Sequence, residues 1–268
     1  MMHSALQPQS LVDTSRDGHV HTFLCKHANG SMEEYVQAAL RKGLRSLTFL
    51  EHMEVRIRYP HRSWLEETDF DYYFAEGERL RQIYQGQIEI RLGVEVGCNS
   101  DAVAQLREKL QARPWDSIGL SCHFFPHGDQ HFNLLSKRPE SLGKLAAIGA
   151  DTVLSWYFAA LTKAVRNLPC TLLCHLDAAL RHMPGVRFNQ EHRQQIHTLL
   201  AAIREQNMAL EINTSGFDYR DNPFPADWII TAALALGIPL SPGSDAHRPE
   251  DVGRYFDRLP AYLEALRP

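Results

Sequence analysis

The chain has 268 residues, enough to bury one large core, and single α/β barrels commonly run to this size. With 44% hydrophobic and 22% charged residues and a net charge of −4, the composition is that of a globular protein. It lacks the Lys/Arg runs or basic excess that nucleic-acid binding needs, and no apolar run reaches membrane-spanning length. The start, Met1 to Ser10, has no signal-peptide apolar region, so the cytoplasm is the expected compartment. Five cysteines (Cys25, Cys98, Cys122, Cys170, Cys174), an odd number without a Cys-x-x-Cys pair, are expected as reduced thiols.

Residues 1–15, with Pro8 and several polar residues, read as a loosely held leader before a barrel domain over 16–268. A first strand is expected near 16–21 and contains Asp17-Gly18-His19-Val20-His21, with His27 beyond it. Ser31 to Gly43 reads as a helix: Ser31 and Glu34 make a capping box, Glu33 and Glu34 suit the N-terminal dipole, and Gly43 suits the stop. A strand near 46–51 runs into Glu51-His52, and a helix near 70–85 leads to a strand over 88–96 that carries Glu95. A helix near 99–112 precedes the strand 117–124, with Cys122-His123 near its end. The helix 150–167, capped by Asp151, leads to the strand 171–176 with Cys174-His175. The helix 189–206, capped by Asn189, leads to the strand 209–213, which ends in Asn213. A helix near 224–236, stopped by Gly237, precedes the last strand over 238–241 and the run Gly243-Ser244-Asp245-Ala246-His247.

Seven β–α alternations imply parallel strands joined by crossover helices. An open sheet of this kind places its site at one switch point. Here the first five strands and the seventh all end in ligand-type residues, and only a ring brings all those ends to one mouth. The expected fold is therefore α/β, a (β/α)7 barrel with its site at the C-terminal face of the strands.

Imidazole and carboxylate repeated at strand ends suit divalent Zn, Mn or Fe. His19 and His21 stand at strand spacing and share a face, so they can grip one ion. Asp245 and His247 repeat that spacing, and Glu95 can bridge two ions. Cys122 and Cys174 each precede a candidate ligand, so strand alternation expects both thiols to face away from the metals.

The ordered set Asp-Gly-His-Val-His-Thr, His27, Phe-Leu-Glu-His, Gly-Val-Glu, Ser-Cys-His-Phe, Cys-His-Leu-Asp, Glu-Ile-Asn-Thr-Ser-Gly and Gly-Ser-Asp-Ala-His-Arg-Pro resembles the PHP (polymerase and histidinol phosphatase) superfamily, and is similar to its histidinol-phosphatase branch. The resemblance spans roughly residues 15–257 and implies a distorted (β/α)7 barrel holding two or three divalent metals. It implies His19, His21, Glu95 and Asp245 around a first ion, and His27, His52 and His247 around a second. Glu95 would bridge to a third, completed by His123 and His175. The implied reaction is phosphate-monoester hydrolysis, most specifically L-histidinol phosphate to L-histidinol in histidine biosynthesis. Water would attack phosphorus directly, with the leaving alkoxide stabilised by a metal or protonated by an acid such as Asp245.

An arginine fork suits phosphate oxygens, and Arg181, Arg220 and Arg248 all follow strand ends. Asn213 and Thr214 would line the substrate pocket, and Asp129, Asp177 and Asp218 are the anions available for a cationic amine, with Asp177 alternatively a partner of His175. Glu51 would orient His52. The loop carrying His127 and His131 departs from the family pattern, and both are expected to be solvated. The expected partner is a small phosphorylated substrate, with no nucleic acid and no membrane. Alternatives are a phosphoesterase for another small ester or nucleotide, a nuclease, or a non-catalytic metal-binding module.

Overall fold

Seven parallel strands run round the molecule in sequence order, and the computed structural model describes them within residues 10–183 and 185–267. They are β1 (Arg16–Val20), β2 (Ser46–Met53), β3 (Glu89–Gly97) and β4 (Ile118–Ser121), then, after a hairpin of β5 (Phe124–His127) and β6 (Gln130–Asn133), β7 (Leu172–Leu173), β8 (Ala209–Asn213) and β9 (Leu240–Gly243). The sheet order is β1-β2-β3-β4-β7-β8-β9. A parallel bridge from Val20 to Ala246 nearly closes the ring, with His21 N donating to Ala246 O and Asp245 N to His19 O, both at 2.9 Å.

The crossovers are helical: α1 (Met32–Arg41), α2 (Glu67–Ile83), α3 (Val103–Gln111), α4 (Pro139–Ile148), α5 (Ala150–Asn167), α6 (Gln190–Glu205) and α7 (Asp227–Ala235), with α8 (Leu259–Glu264) at the end. The Ser31–Glu34 capping box and the Asn189 cap form as the residues imply. Asp151 does not cap α5, which starts one residue earlier behind Gly149, a residue with φ +98°. The β5–β6 hairpin was not anticipated. It turns through Gly128 (φ +57°) and Asp129, and short glycine-containing loops of this kind join antiparallel strands tightly.

Alternate strand residues face the helices or the lumen. Leu47, Phe49, Leu92, Val94, Leu120, Leu173, Leu210 and Ile212 pack outward into the main core. The lumen holds a small plug of Leu50, Leu172 and Cys174. A Cβ on Gly93 would sit 2.6 Å from Leu50, and one on Gly119 would sit 2.7 Å from the Cys174 sulfur, so these glycines let the plug fill the barrel. Above it the interior turns polar.

Residues 1–9 of the expected leader lie outside the described residues. The rest of that segment is tied down: Val12 is buried, and Asp13 pairs with Arg16 and Arg45. Among the described residues no single helix is long and apolar enough to cross a membrane.

Candidate metal centre

Nine candidate ligand side chains converge at the C-terminal end of the barrel. His19 Nε2 and His21 Nε2 face each other at 2.8 Å, and Glu95 Oε2 lies 3.6 and 3.5 Å from them. Asp245 Oδ1 stands 3.3 Å from His21 and 3.9 Å from His19. His27 Nε2 and His247 Nε2 meet at 2.9 Å, with His52 beside them. Glu95 turns its other oxygen, Oε1, to His175 Nε2 at 2.8 Å and His123 Nε2 at 3.2 Å. One carboxylate therefore presents one oxygen to each of two groups.

The protons fit cations rather than hydrogen bonds. His27 Nδ1–H donates to Cys25 O and His247 Nδ1–H to Asp245 O, each at 2.9 Å. In the neutral rings both Nε2 atoms then carry lone pairs, and at 2.9 Å two lone pairs repel unless a cation lies between them. Protonation does not relieve this. Burial first, then the neighbouring His52 and His247, push His27 down to about 3, and burial likewise lowers His247. Glu95 Oε2 and His52 Nδ1 lie 2.8 Å apart, and both are buried without a hydrogen bond among the described residues. Buried polar atoms left this way point to an ion.

The rest of the centre titrates in opposed directions. Burial alone would raise Glu95, but His123, His52 and His19 hold it well below the usual carboxylate range. Burial pulls His19 down, yet Glu211 and Glu95 carry it well above its ordinary value, and Glu95 with Glu54 likewise takes His123 up to about 10. His21 falls well below, through burial and the crowding of His52 and His247. Asp245, raised by burial but held well below its ordinary value by His21 and His19, is an acceptor, which disfavours the proton-donor role expected of it.

Two buried carboxylates that the sequence reading passed over support the rings. Glu211, on β8, accepts from His19 Nδ1–H at 2.6 Å, and Glu54, just past β2, from His123 Nδ1–H at 2.9 Å. Carboxylates on the second ring nitrogen fix tautomer and direction. An acid at an inward position of the buried strand Ala209–Asn213 was the available signal for Glu211. Glu51 does not orient His52. It accepts from Thr22 N and Oγ1 at 2.8 and 2.5 Å, because β2 delivers it beside the chain that leaves β1.

Above the ligands lies a cavity of about 610 Å³. Arg181 lines it, stacked over Tyr219 at 4.8 Å, with Nε and Nη1 buried and without a hydrogen-bond partner among the described residues. Arg248 also reaches it, paired with Asp251. Arg220 does not: its guanidinium turns away to grip Asp177 Oδ2 and Oδ1 at 3.1 and 3.2 Å and Pro223 O. That pair also removes Asp177 from any substrate. Asn213 is fully buried, donating to Glu211 and capping the following 3-10 turn through Ser215, so it does not line the pocket either. Asp218 faces the cavity, held by Arg254 and Tyr255, whereas Asp129 is exposed beside Arg58, away from the cavity lining. His131 accepts from Arg58 N and pins the hairpin, and the His127 ring lies tilted against Phe132 at 5.4 Å; neither lines the cavity.

Cys122 faces the outer core, as alternation expects. Cys174 does not face away: its sulfur lies in the lumen close to His19 and Glu211. Both it and His175 point inward because His175 takes φ +26°, which breaks the alternation. Burial and Glu211 push the Cys174 thiol well up, so it stays protonated.

Fold and site together define a parallel (β/α)7 barrel with a candidate polynuclear metal centre of histidine and carboxylate at its C-terminal mouth. A family model described as the PHP domain matches residues 17–215, and the chain belongs to that family. It is 31% identical over 245 residues to a protein of Deinococcus radiodurans named "Probable histidinol-phosphatase", covering 90% of this chain and 89% of that one. It is 28% identical to the histidinol-phosphatase of Bacillus subtilis, covering 93% and 98%. The crystal structure of histidinol phosphate phosphatase from Lactococcus lactis, complexed with zinc, L-histidinol and phosphate, superposes with a TM-score of 0.75 at 20% identity, over 94% and 93% of the two chains.

Proposed function

We propose that the protein is a metal-dependent phosphatase that hydrolyses L-histidinol phosphate to L-histidinol and phosphate. The observation that carries this reading is the convergence of nine candidate ligand side chains beneath a cavity in which Arg181 offers donors with no partner among the described residues. The relatives named histidinol-phosphatase, aligned over nine-tenths of the chain, support the substrate.

Two or three divalent ions (Zn, Mn or Fe) would be held by His19, His21, Glu95 and Asp245, by His27, His52 and His247, and by Glu95, His123 and His175. When bound, such ions acidify water and neutralise charge on phosphoryl oxygens. Arg181 gives the phosphoryl group a planar fork from the side of the cavity, and its stack on Tyr219 holds that fork in place. Asp218, held at the cavity wall by Arg254 and Tyr255, would face the cationic amine, whereas Asp177 does not line the cavity. Neither Ser215 nor Cys174 is set up as a covalent nucleophile: Ser215 Oγ donates to Asn213 with no base beside it among the described residues, and the Cys174 thiol lies protonated below the candidate ligands.

The test is phosphate release across a panel of monoesters, with metal analysis of the same sample. A kcat/KM for histidinol phosphate well above that for a generic aryl phosphate is expected. Equal values, or full activity in a metal-free sample, would refute the reading.

A further inference from the structure

Glu211 is fully buried on β8 beneath the mouth. Its Oε1 accepts from His19 Nδ1–H at 2.6 Å. Its Oε2 accepts from the main-chain N–H of His175 at 2.7 Å and from Asn213 Nδ2 at 3.0 Å. Asn213 cannot turn its amide round, because its Oδ1 already accepts from Ser215 N and Oγ. Three donors therefore converge on one carboxylate. Its seat is made by Gly243 on β9, where a Cβ would lie 2.2 Å from Glu211 Oε1 and 2.9 Å from His19 Cβ.

The two histidines serve opposite sides of Glu95. His19 Nε2 lies 3.6 Å from Oε2, and His175 Nε2 lies 2.8 Å from Oε1. With its Nδ1 proton held by Glu211, His19 has its Nε2 left as the nitrogen that would ligate an ion. His175 needs help of another kind. Its φ of +26° takes it out of the ladder after Leu173, and the hydrogen bond to Glu211 gives that displaced N–H a partner.

We propose that Glu211 is a positioning residue that orients two candidate metal ligands at once, His19 through its ring and His175 through its main chain, and so sets the affinity of two ion sites. This rests on the metal centre of the proposed function. Glu54 is the internal comparison, because among the described residues its carboxylate hydrogen-bonds only the ring of His123 and so would affect one site.

Glutamine at position 211 has almost the same shape and cannot do the same work. Its single acceptor oxygen can serve His19 or the His175 and Asn213 pair, not both. If its NH₂ faces His19, the imidazole must accept at Nδ1 and carry its proton on Nε2, where it no longer ligates. If the NH₂ faces His175 N–H, two donors meet in a buried place.

The experiment compares wild type, Glu211→Gln and Glu54→Gln. Zinc per chain is measured after dialysis against buffered zinc, and zinc affinity by competition with a chelating dye. Thermal unfolding is followed on the same samples. Glu211→Gln should weaken zinc at two sites by about 10–100-fold each, and Glu54→Gln at one. Wild-type zinc affinity in a folded Glu211→Gln overturns the inference while leaving the phosphatase reading intact. A wild-type chain that binds no zinc overturns both. Should Glu211→Gln fail to fold, the zinc-loaded wild type decides: ring ¹⁵N–¹H spectra, with His19 assigned by its loss in His19→Gln, must show the proton on Nδ1, and a proton on Nε2 sinks the idea.

Discussion

Arg220→Ala should cost stability and spare the chemistry, and Arg181→Ala should do the reverse. The Asp177 side chain is 0% exposed, and its carboxylate is satisfied by both Nη atoms of Arg220 and by Ala226 N–H. Burial raises Asp177 above its ordinary value and Arg220 opposes that, so the carboxylate depends on Arg220 to offset the cost of its burial. Removing one partner of a buried pair costs about 3–5 kcal/mol. Arg220 is itself 30% exposed, so water can enter the gap, and about 3 kcal/mol is the better figure. For a chain of this size that lowers Tm by about 6–12 °C.

Arg181 pairs with no carboxylate among the described residues and only stacks on Tyr219. Its replacement by alanine should leave stability within about 0.5 kcal/mol. Loss of one donor to a developing phosphoryl charge costs about 10²–10³-fold in rate. Thermal unfolding with zinc present, and kcat/KM for histidinol phosphate at 25 °C, read out the two halves. An unchanged Tm with collapsed kcat/KM in Arg220→Ala would mean that the guanidinium turns to the substrate and that the ion pair is dispensable.

Glu95→Gln should lose more metal than His247→Gln, because one carboxylate faces two ligand groups; equal metal content in the two variants would contradict this. Gly119→Ala should destabilise by about 1–3 kcal/mol by driving a methyl against the Cys174 sulfur, and Cys174→Ala in the same chain should recover part of that loss. Additive losses in that double-mutant cycle would show that the two do not meet. Asp218→Asn should raise KM for histidinol phosphate and leave p-nitrophenyl phosphate nearly unaffected, whereas equal changes would remove Asp218 from amine recognition.

The alternation of apolar strands with amphipathic helices was enough to place the barrel and, through the strand ends, its mouth. Elements without that rhythm escaped. The β5–β6 hairpin turns at Gly128 between two four-residue strands, Phe-Phe-Pro-His and Gln-His-Phe-Asn, too short and too polar to show an apolar strand pattern, and α4 begins at Pro139 soon after them. Ligand residue types were readable because imidazoles at strand ends are costly to bury for any other reason. Their supports were not. Glu51, Glu54 and Glu211 are three buried acids near histidines, and which ring each serves depends on the neighbouring strand rather than on sequence distance. Glu51 lies next to His52 and holds Thr22 instead, while Glu211 reaches His19 from 192 positions away.

Position 175 makes the same point about the backbone. A rule of strict alternation sends Cys174 and His175 to opposite faces, and only one of them could then reach the lumen. Both do, because the ladder of β7 ends at Leu173 and the chain turns through a positive φ that no residue there advertises. The turn persists because Glu211, from the next strand, takes the N–H that the ladder has released. What pattern alone cannot supply is this dependence of one strand's geometry on a carboxylate delivered by another. Cys174 shares the lumen with Leu172 by ordinary alternation, so it is the turn at His175 that brings an imidazole to the same side, above the thiol.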